Sequence, residues 1–344
     1  MPQRRLLTSA AIFAMCALGA AAQAGEATLT IKDFVGRITI ETDGNQAIKV
    51  TNKTRAGDVD FDQDRESLVI DGGISNPDGD DCKGYYGNVS WSLFGKKEKK
   101  SEIGGYSDLD NYPDLTISGP EDMTLVIENS IPFGRAGNIG AADIEMQYCG
   151  RFFLGDINGP ARFTVNGSGD IEAGNIETLQ AKINGSGDLE LRDVGDSDIT
   201  IRGSGDVEFK DAENMNLSIS GSGDAEGERI SGAIYIKSSG SGDVDLESVD
   251  GELTYDSRGS GDLSINEVNG TAMLQVRGSG TADIDEGSLT ELIVIATGSS
   301  DVHFGGRVQD ADLTARGSSD VYVDTITGTR KTRTTGSGDI HIDN

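Results

Sequence analysis

The chain is poor in most of what a compact enzyme is built from. Of its 344 residues two are His, three Cys, six Pro and one Trp, and aromatics make up 6%. Two histidines leave little for metal or proton-transfer chemistry. No zinc-ligand spacing, phosphate loop or Gly-x-Ser-x-Gly elbow occurs either. Scarce Pro suits a chain that is mostly paired strand, because Pro cannot donate to a ladder. Positive charge is also scarce: 29 Lys and Arg stand against 58 Asp and Glu, a net −29. That balance excludes nucleic acid as a natural partner and opposes close docking on an anionic bilayer without a bridging cation. No apolar run beyond residue 22 is long enough to span a membrane. With 35% hydrophobic residues, composition alone points toward disorder.

One abundant feature overrides that reading. Gly-Ser-Gly-Asp recurs seven times, at Gly167–Asp170, Gly185–Asp188, Gly203–Asp206, Gly221–Asp224, Gly240–Asp243, Gly259–Asp262 and Gly336–Asp339. Gly-Ser-Ser-Asp (Gly298–Asp301, Gly317–Asp320) and Gly-Ser-Gly-Thr (Gly278–Thr281) complete ten copies spaced 18 to 20 residues apart. A period near 19 is too long for a heptad and too short for a helical hairpin, and it fits one coil of a β-solenoid. The residue after each Asp is apolar (Ile171, Leu189, Val207 and so on). So is the second residue beyond it, except at Gly227. This period-two alternation marks a strand with one buried face. A second strand runs into each Gly, with inward pairs such as Ile199/Ile201 and Leu217/Ile219, and the glycines supply positive φ for the corner. The expected fold is all-β, a single-stranded parallel β-helix, right-handed by the general preference of parallel connections. Ten coils make a rod of about 50 Å.

Residues 1–24 read as a secretory signal peptide: Arg4 and Arg5, an apolar stretch from Leu6 to Ala22, and an Ala22-Gln23-Ala24 cleavage site. Met15 before Cys16 argues against lipidation. The expected product is exported, periplasmic or extracellular. In an oxidising compartment Cys82 and Cys149 are expected to pair rather than stay free. Residues 25–160 form a less regular region continuous with the repeats of 161–344. In it Leu29/Ile31, Ile48/Val50 and Leu68/Ile70, spaced 19 and 20 apart, are expected to be three further coils. The rhythm breaks over an insertion at 75–112, which holds Tyr85, Tyr86, Trp91, Phe94 and Tyr106, and the run Lys96, Lys97, Lys99, Lys100. It reads as a loop folded over the rod to cover its end, or as a ligand-binding loop with sugar or peptide stacked on the aromatics. A polar last coil, with Thr332, Thr334 and Thr335, reads as a C-terminal cap.

Stacking in register would align Asp170, Asp188, Asp206, Asp224, Asp243 and Asp262, followed by Asp301, Asp320 and Asp339. Glu172, Glu190, Glu208, Glu226 and Asp245 would form a second, outward column. Carboxylates about 5 Å apart repel by roughly 1 kcal/mol per pair in water. Three things can offset this: hydrogen bonds from the corner's own N–H groups, the arginines before the Gly (Arg202, Arg258, Arg277, Arg316), or calcium bridging adjacent rungs. No cofactor is required by the sequence; calcium is the one it makes room for. His303 and His341 read as exposed strand residues with Tyr322 between them. The repeated serines read as architectural, so no catalytic residues are assigned.

The phrase I-x-G-S-G-D, as in Ile201–Asp206 and Ile219–Asp224, resembles the bacterial putative auto-transporter adhesin head, or GIN, domain. The opening Leu29-Thr30-Ile31 through Ile38-Thr39-Ile40 is similar to that family's start. The resemblance implies a secreted or envelope-located parallel β-helix with no established catalytic residues. The expected function is non-enzymatic adhesion or scaffolding, with unidentified envelope glycans or proteins as partners. The alternatives are a calcium-binding structural rod and a polysaccharide-active enzyme.

Overall fold

The computed structural model describes residues 27–44, 47–54, 59–78 and 112–343. The leader, Cys82, Tyr85, Tyr86, Trp91, Phe94, Tyr106 and the four lysines of the insertion lie outside them. The described residues contain strands and turns and no helix; they build a parallel β-solenoid with coils of about 19 residues. The strand Leu189–Gly203 shows how sequence becomes coil. Leu189 and Leu191 point inward on one side. The chain bends and places Val194 inward on a short third side. Ile199 and Ile201 then point inward on the side that runs into the Gly203 corner. Below, the side before the corner is the first side and the side after it the second.

The next coil repeats this in register, Leu189 on Val207, Val194 on Ala212, Ile199 on Leu217 and Gly203 on Gly221. The core is therefore a set of vertical columns. Two were expected. The third, Ile176, Val194, Ala212, Ile230, Val249 and Val268, is fully buried and closes the prism. Each large aliphatic so buried is worth about 1.5–3 kcal/mol, available only when a neighbouring coil covers it.

The two corner glycines are required for different reasons. The first lies at φ between +135° and +147° in Gly167, Gly185, Gly203, Gly221 and Gly240, a region closed to most side chains. The second is required by close approach: a Cβ on Gly223 would sit 2.1 Å from the Gly205 carbonyl oxygen. Ser300 and Ser319 replace this second Gly in two late coils. The first Gly there relaxes to +107° and +89°. The two buried hydroxyls lie 3.2 Å apart, and Ser300 also donates to the Val276 carbonyl.

The N-terminal end departs from the expected order of coils. Strands β1 (Thr28–Lys32), β2 (Val35–Thr42), β3 (Lys49–Thr54), β4 (Asp60–Gln63), β5 (Ser67–Asp71), β6 (Asp114–Gly119) and β7 (Thr124–Ala136) form it. Leu29/Ile31 of β1 stack directly on Leu68/Ile70 of β5, with nothing between. Ile48/Val50 do not form a middle coil. Val50 lies on β3, which runs antiparallel on β6, opposite Ile117. β4 likewise runs antiparallel on β5. β5 and β6 make the outermost coil, β1 and β2 the next, and β7 returns past both to pair with β1 and β2 on its two halves. The two antiparallel strands cover the end of the rod, as a solenoid terminus requires. In sequence the insertion lies between β5 and β6, the two strands of this terminal coil. At the other end Arg330–Gly336 pairs with Ala311–Gly317 and is exposed throughout, Thr332 facing Leu313 and Thr334 facing Ala315.

Candidate functional site

The corner aspartates form a hydrogen-bonded ladder along the rod. The backbone N–H of Asp188 donates to Asp170 Oδ1 (3.3 Å), that of Asp206 to Asp188 (3.0 Å), and that of Asp224 to Asp206 (2.8 Å). Asp243 and Asp262 continue it at 2.8 Å each. The Thr281 N–H donates the last bond, to Asp262 Oδ1, and Thr281 offers no carboxylate to the next coil. The ladder restarts at Asp301, which accepts from Asp320, and Asp320 accepts from Asp339. The donor is the next coil's N–H and not one from the carboxylate's own corner, because stacking brings that group within reach and amides of the corner are used elsewhere. The Ser222 N–H, for example, donates to the Gly203 carbonyl. The arginines before the Gly do not lie on the ladder: Arg258 and Arg277 pair with Asp256. Burial pushes the Asp188 carboxyl above the usual range; the Asp206 N–H opposes this, and the Asp206 charge adds to it. Among the described residues no group of three or more His, Cys, Asp or Glu is arranged to hold a metal ion.

The second column is also in register, Glu172 on Glu190 on Glu208 on Glu226 on Asp245. Burial, and then the charges of Glu190 and Glu226, raise the Glu208 carboxyl. The column ends in a different chemistry: His303 Nδ1 lies 2.8 Å from Asp283 Oδ1, and the rings of Tyr322 and His341 stack at 4.9 Å. Tyr322 occupies the rung between the histidines, as its spacing requires.

This corner-and-column pattern extends through two matches to one family model. Residues 138–212 and 254–343 match the family described as "Putative auto-transporter adhesin, head GIN domain". These two segments belong to that family. No curated protein and no solved structure matches it. The fold of the GIN-domain array runs unbroken through the intervening residues 213–253, whose strands pair with both neighbours.

The GIN-domain rod is electrostatically two-sided. The second side and the corner carry the carboxylate columns. On the first side the outward positions between the buried aliphatics hold Lys182, Arg202, Lys237, Arg258, Arg277 and Arg316, interleaved mostly with Asn, Gln, Ser and Thr and with the apolar Tyr235, Met273, Ile293 and Ile295. Of the carboxylates there, Asp256 is paired with Arg277 and Arg258, Asp312 lies near Lys331 and Arg333, and Asp198 stands between Gln180 and Asn216 of the neighbouring coils. This asymmetry is legible only once register assigns each charge to a side.

The expected aromatic surface lies outside the described residues, which show only the two ends of the insertion. Ile74 and Tyr112, which flank the insertion, pack on a small satellite core of Val35, Ile131, Phe133 and Cys149 outside the main prism. Asn129, at φ +45°, holds the stem by donating to the Ser75 carbonyl (3.1 Å) and to Asp33 Oδ1 (2.6 Å). Cys149 is buried there.

Proposed function

We propose that the rod is an exported, non-catalytic interaction module of the bacterial envelope, of adhesion or scaffold type, acting through its stacked faces and the insertion at its N-terminal end. One observation carries this reading: outward side chains repeat in columns over successive coils of the solenoid, on a chain that matches a family described as an adhesin head. Such columns favour extended partners engaged through many weak contacts, where repetition multiplies a small unit affinity. A concavity on the rod supports the same view. It is an open trough of about 910 Å³ on the third side, lined by Asp156, Glu177, Asp193, Asp211, Glu213 and Arg229. The leader at residues 1–24 supplies export, and a Cys82–Cys149 bridge would tie the insertion to the satellite core. The partners are surface glycans or envelope proteins.

The test is saturable binding of labelled mature protein (residues 25–344) to fractionated envelopes, competed by unlabelled protein, and repeated with residues 75–112 deleted. Binding that the deletion abolishes places recognition on the insertion; binding that it spares places recognition on the rod. Absence of competed binding to every fraction refutes the reading. So does turnover of an acidic polysaccharide that is lost when Trp91 is replaced.

A further inference from the structure

The two faces of this rod are complementary to each other, and they share one spacing. Carboxylates rise on the second side at Glu172, Glu190, Glu208, Glu226 and Asp245, one per coil. Glu228 and Glu247 widen the column into an acidic recess of about 450 Å³. Cations rise on the first side over the same coils. Lys182, Arg202, Lys237 and Arg316 are exposed and make no ion pair among the described residues. The first side therefore presents cations without an ion pair among the described residues, and the second side stays acidic although Arg192 and Lys210 stand beside Glu190 and Glu208.

We propose that the first side of one rod docks on the second side of another copy of this chain, side by side, with the Lys182–Arg277 cations set against the Glu172–Asp245 carboxylates. The spacing selects this occupant. Both columns are built on the rung separation of parallel strands, about 4.8 Å. Two copies laid alongside stay in step over every coil, while a polymer of unrelated repeat drifts out of phase. Opposed columns in contact strengthen one another, and carboxylates that repel along one rod gain counter-charges from the next. The net charge of −29 opposes association at long range, but at about 0.15 M salt it is screened beyond roughly 8 Å, whereas charges in contact are not. The contact joins two different surfaces, so it is heterologous and leaves a free face at each edge, and assembly continues beyond a dimer.

Sedimentation of the mature protein between about 1 and 100 µM reads this directly. The expected result at about 0.15 M salt is an average mass that rises with concentration beyond two copies and returns to monomer at about 1 M. Arg202→Glu/Lys237→Glu/Arg258→Glu reverses one face, and Glu190→Lys/Glu208→Lys/Glu226→Lys reverses the other. Each variant alone is expected to associate at least about tenfold more weakly. Mixed together, the two intact faces match and the two reversed faces are again opposite in charge, so the mixture is expected to associate where neither variant alone does. Circular dichroism and unfolding midpoints confirm folding, and Lys237→Glu with Glu208→Lys replaces the triples if either misfolds. The proposal is overturned by wild-type protein that stays monomeric throughout the range, or by a mixture that does not associate. It is also overturned if the first-side variant loses binding to an immobilised acidic polysaccharide while the wild type never self-associates.

Discussion

Replacing Asp206 by Asn and by Ala separates the two roles of a ladder carboxylate, as acceptor and as charge. Asp206 Oδ1 accepts the Asp224 N–H at 2.8 Å, and its own N–H donates to Asp188 at 3.0 Å. Its neighbours' carboxylates lie one rung away, about 4.8 Å, where each repels it by about 1 kcal/mol in water. Asn keeps the acceptor and removes both repulsions, while weakening a charge-assisted bond by about 1 kcal/mol. Its stability should fall within about 1 kcal/mol of wild type, on the stabilising side. Ala removes the same repulsions but leaves the Asp224 N–H without its acceptor, so it should lie about 1–2 kcal/mol below Asn. Guanidinium unfolding measures the difference. Amide exchange at Asp224 localises it, because protection there should fall in Ala and persist in Asn. Equal stability of Asn and Ala, or an Asp224 amide indifferent to both, would refute the ladder as the means of holding these carboxylates.

Other outcomes follow from the same geometry. Gly223→Ala sets a Cβ 2.1 Å from the Gly205 carbonyl and should cost about 3 kcal/mol or more in chemical unfolding; a cost below 1 kcal/mol would show that this corner opens as the Ser300 corner does. Glu172, Asp188 and Glu208 have carboxyls raised chiefly by burial. A raised acid binds its proton more tightly when folded, so these groups destabilise the rod when ionised, and the penalty disappears as pH falls through their folded values. The melting temperature should therefore rise on mild acidification from neutral, less so in Glu190→Gln/Glu226→Gln, and a monotonic fall would contradict this. Cys82 and Cys149 should resist alkylation until reduced, and peptide mapping should recover them joined; free labelling of both in the native, unreduced protein would remove the bridge.

The strict period made much of the fold legible in advance. Leu189/Leu191 and Ile199/Ile201 alternate around an invariant corner, so two buried columns can be read directly. Val194 and its equivalents could not be read that way, because a single inward residue between two bends has no periodicity of its own. Ile48/Val50 misled for the opposite reason: their spacing matched a coil by coincidence, while β3 belongs to an antiparallel cap. The Asp column was visible, but its hydrogen-bond donors were not, since they come from a residue 18 or 19 positions later that only stacking brings close. The opposed charge of the two sides was hidden likewise, because Lys182 and Glu190 are near in sequence and only register sets them on different faces.

The stacked carboxylates are held by the chain itself, through the N–H groups of the next coil. Thermal unfolding of residues 25–344 in millimolar calcium, in magnesium and in chelator, at matched ionic strength, puts this to the test. With each Oδ1 engaged by the next rung, calcium and magnesium should shift the midpoint equally and little. A large rise specific to calcium, abolished by Asp188→Asn/Asp206→Asn/Asp224→Asn, would mean that the ladder is a cation site and that the hydrogen-bonded account is wrong.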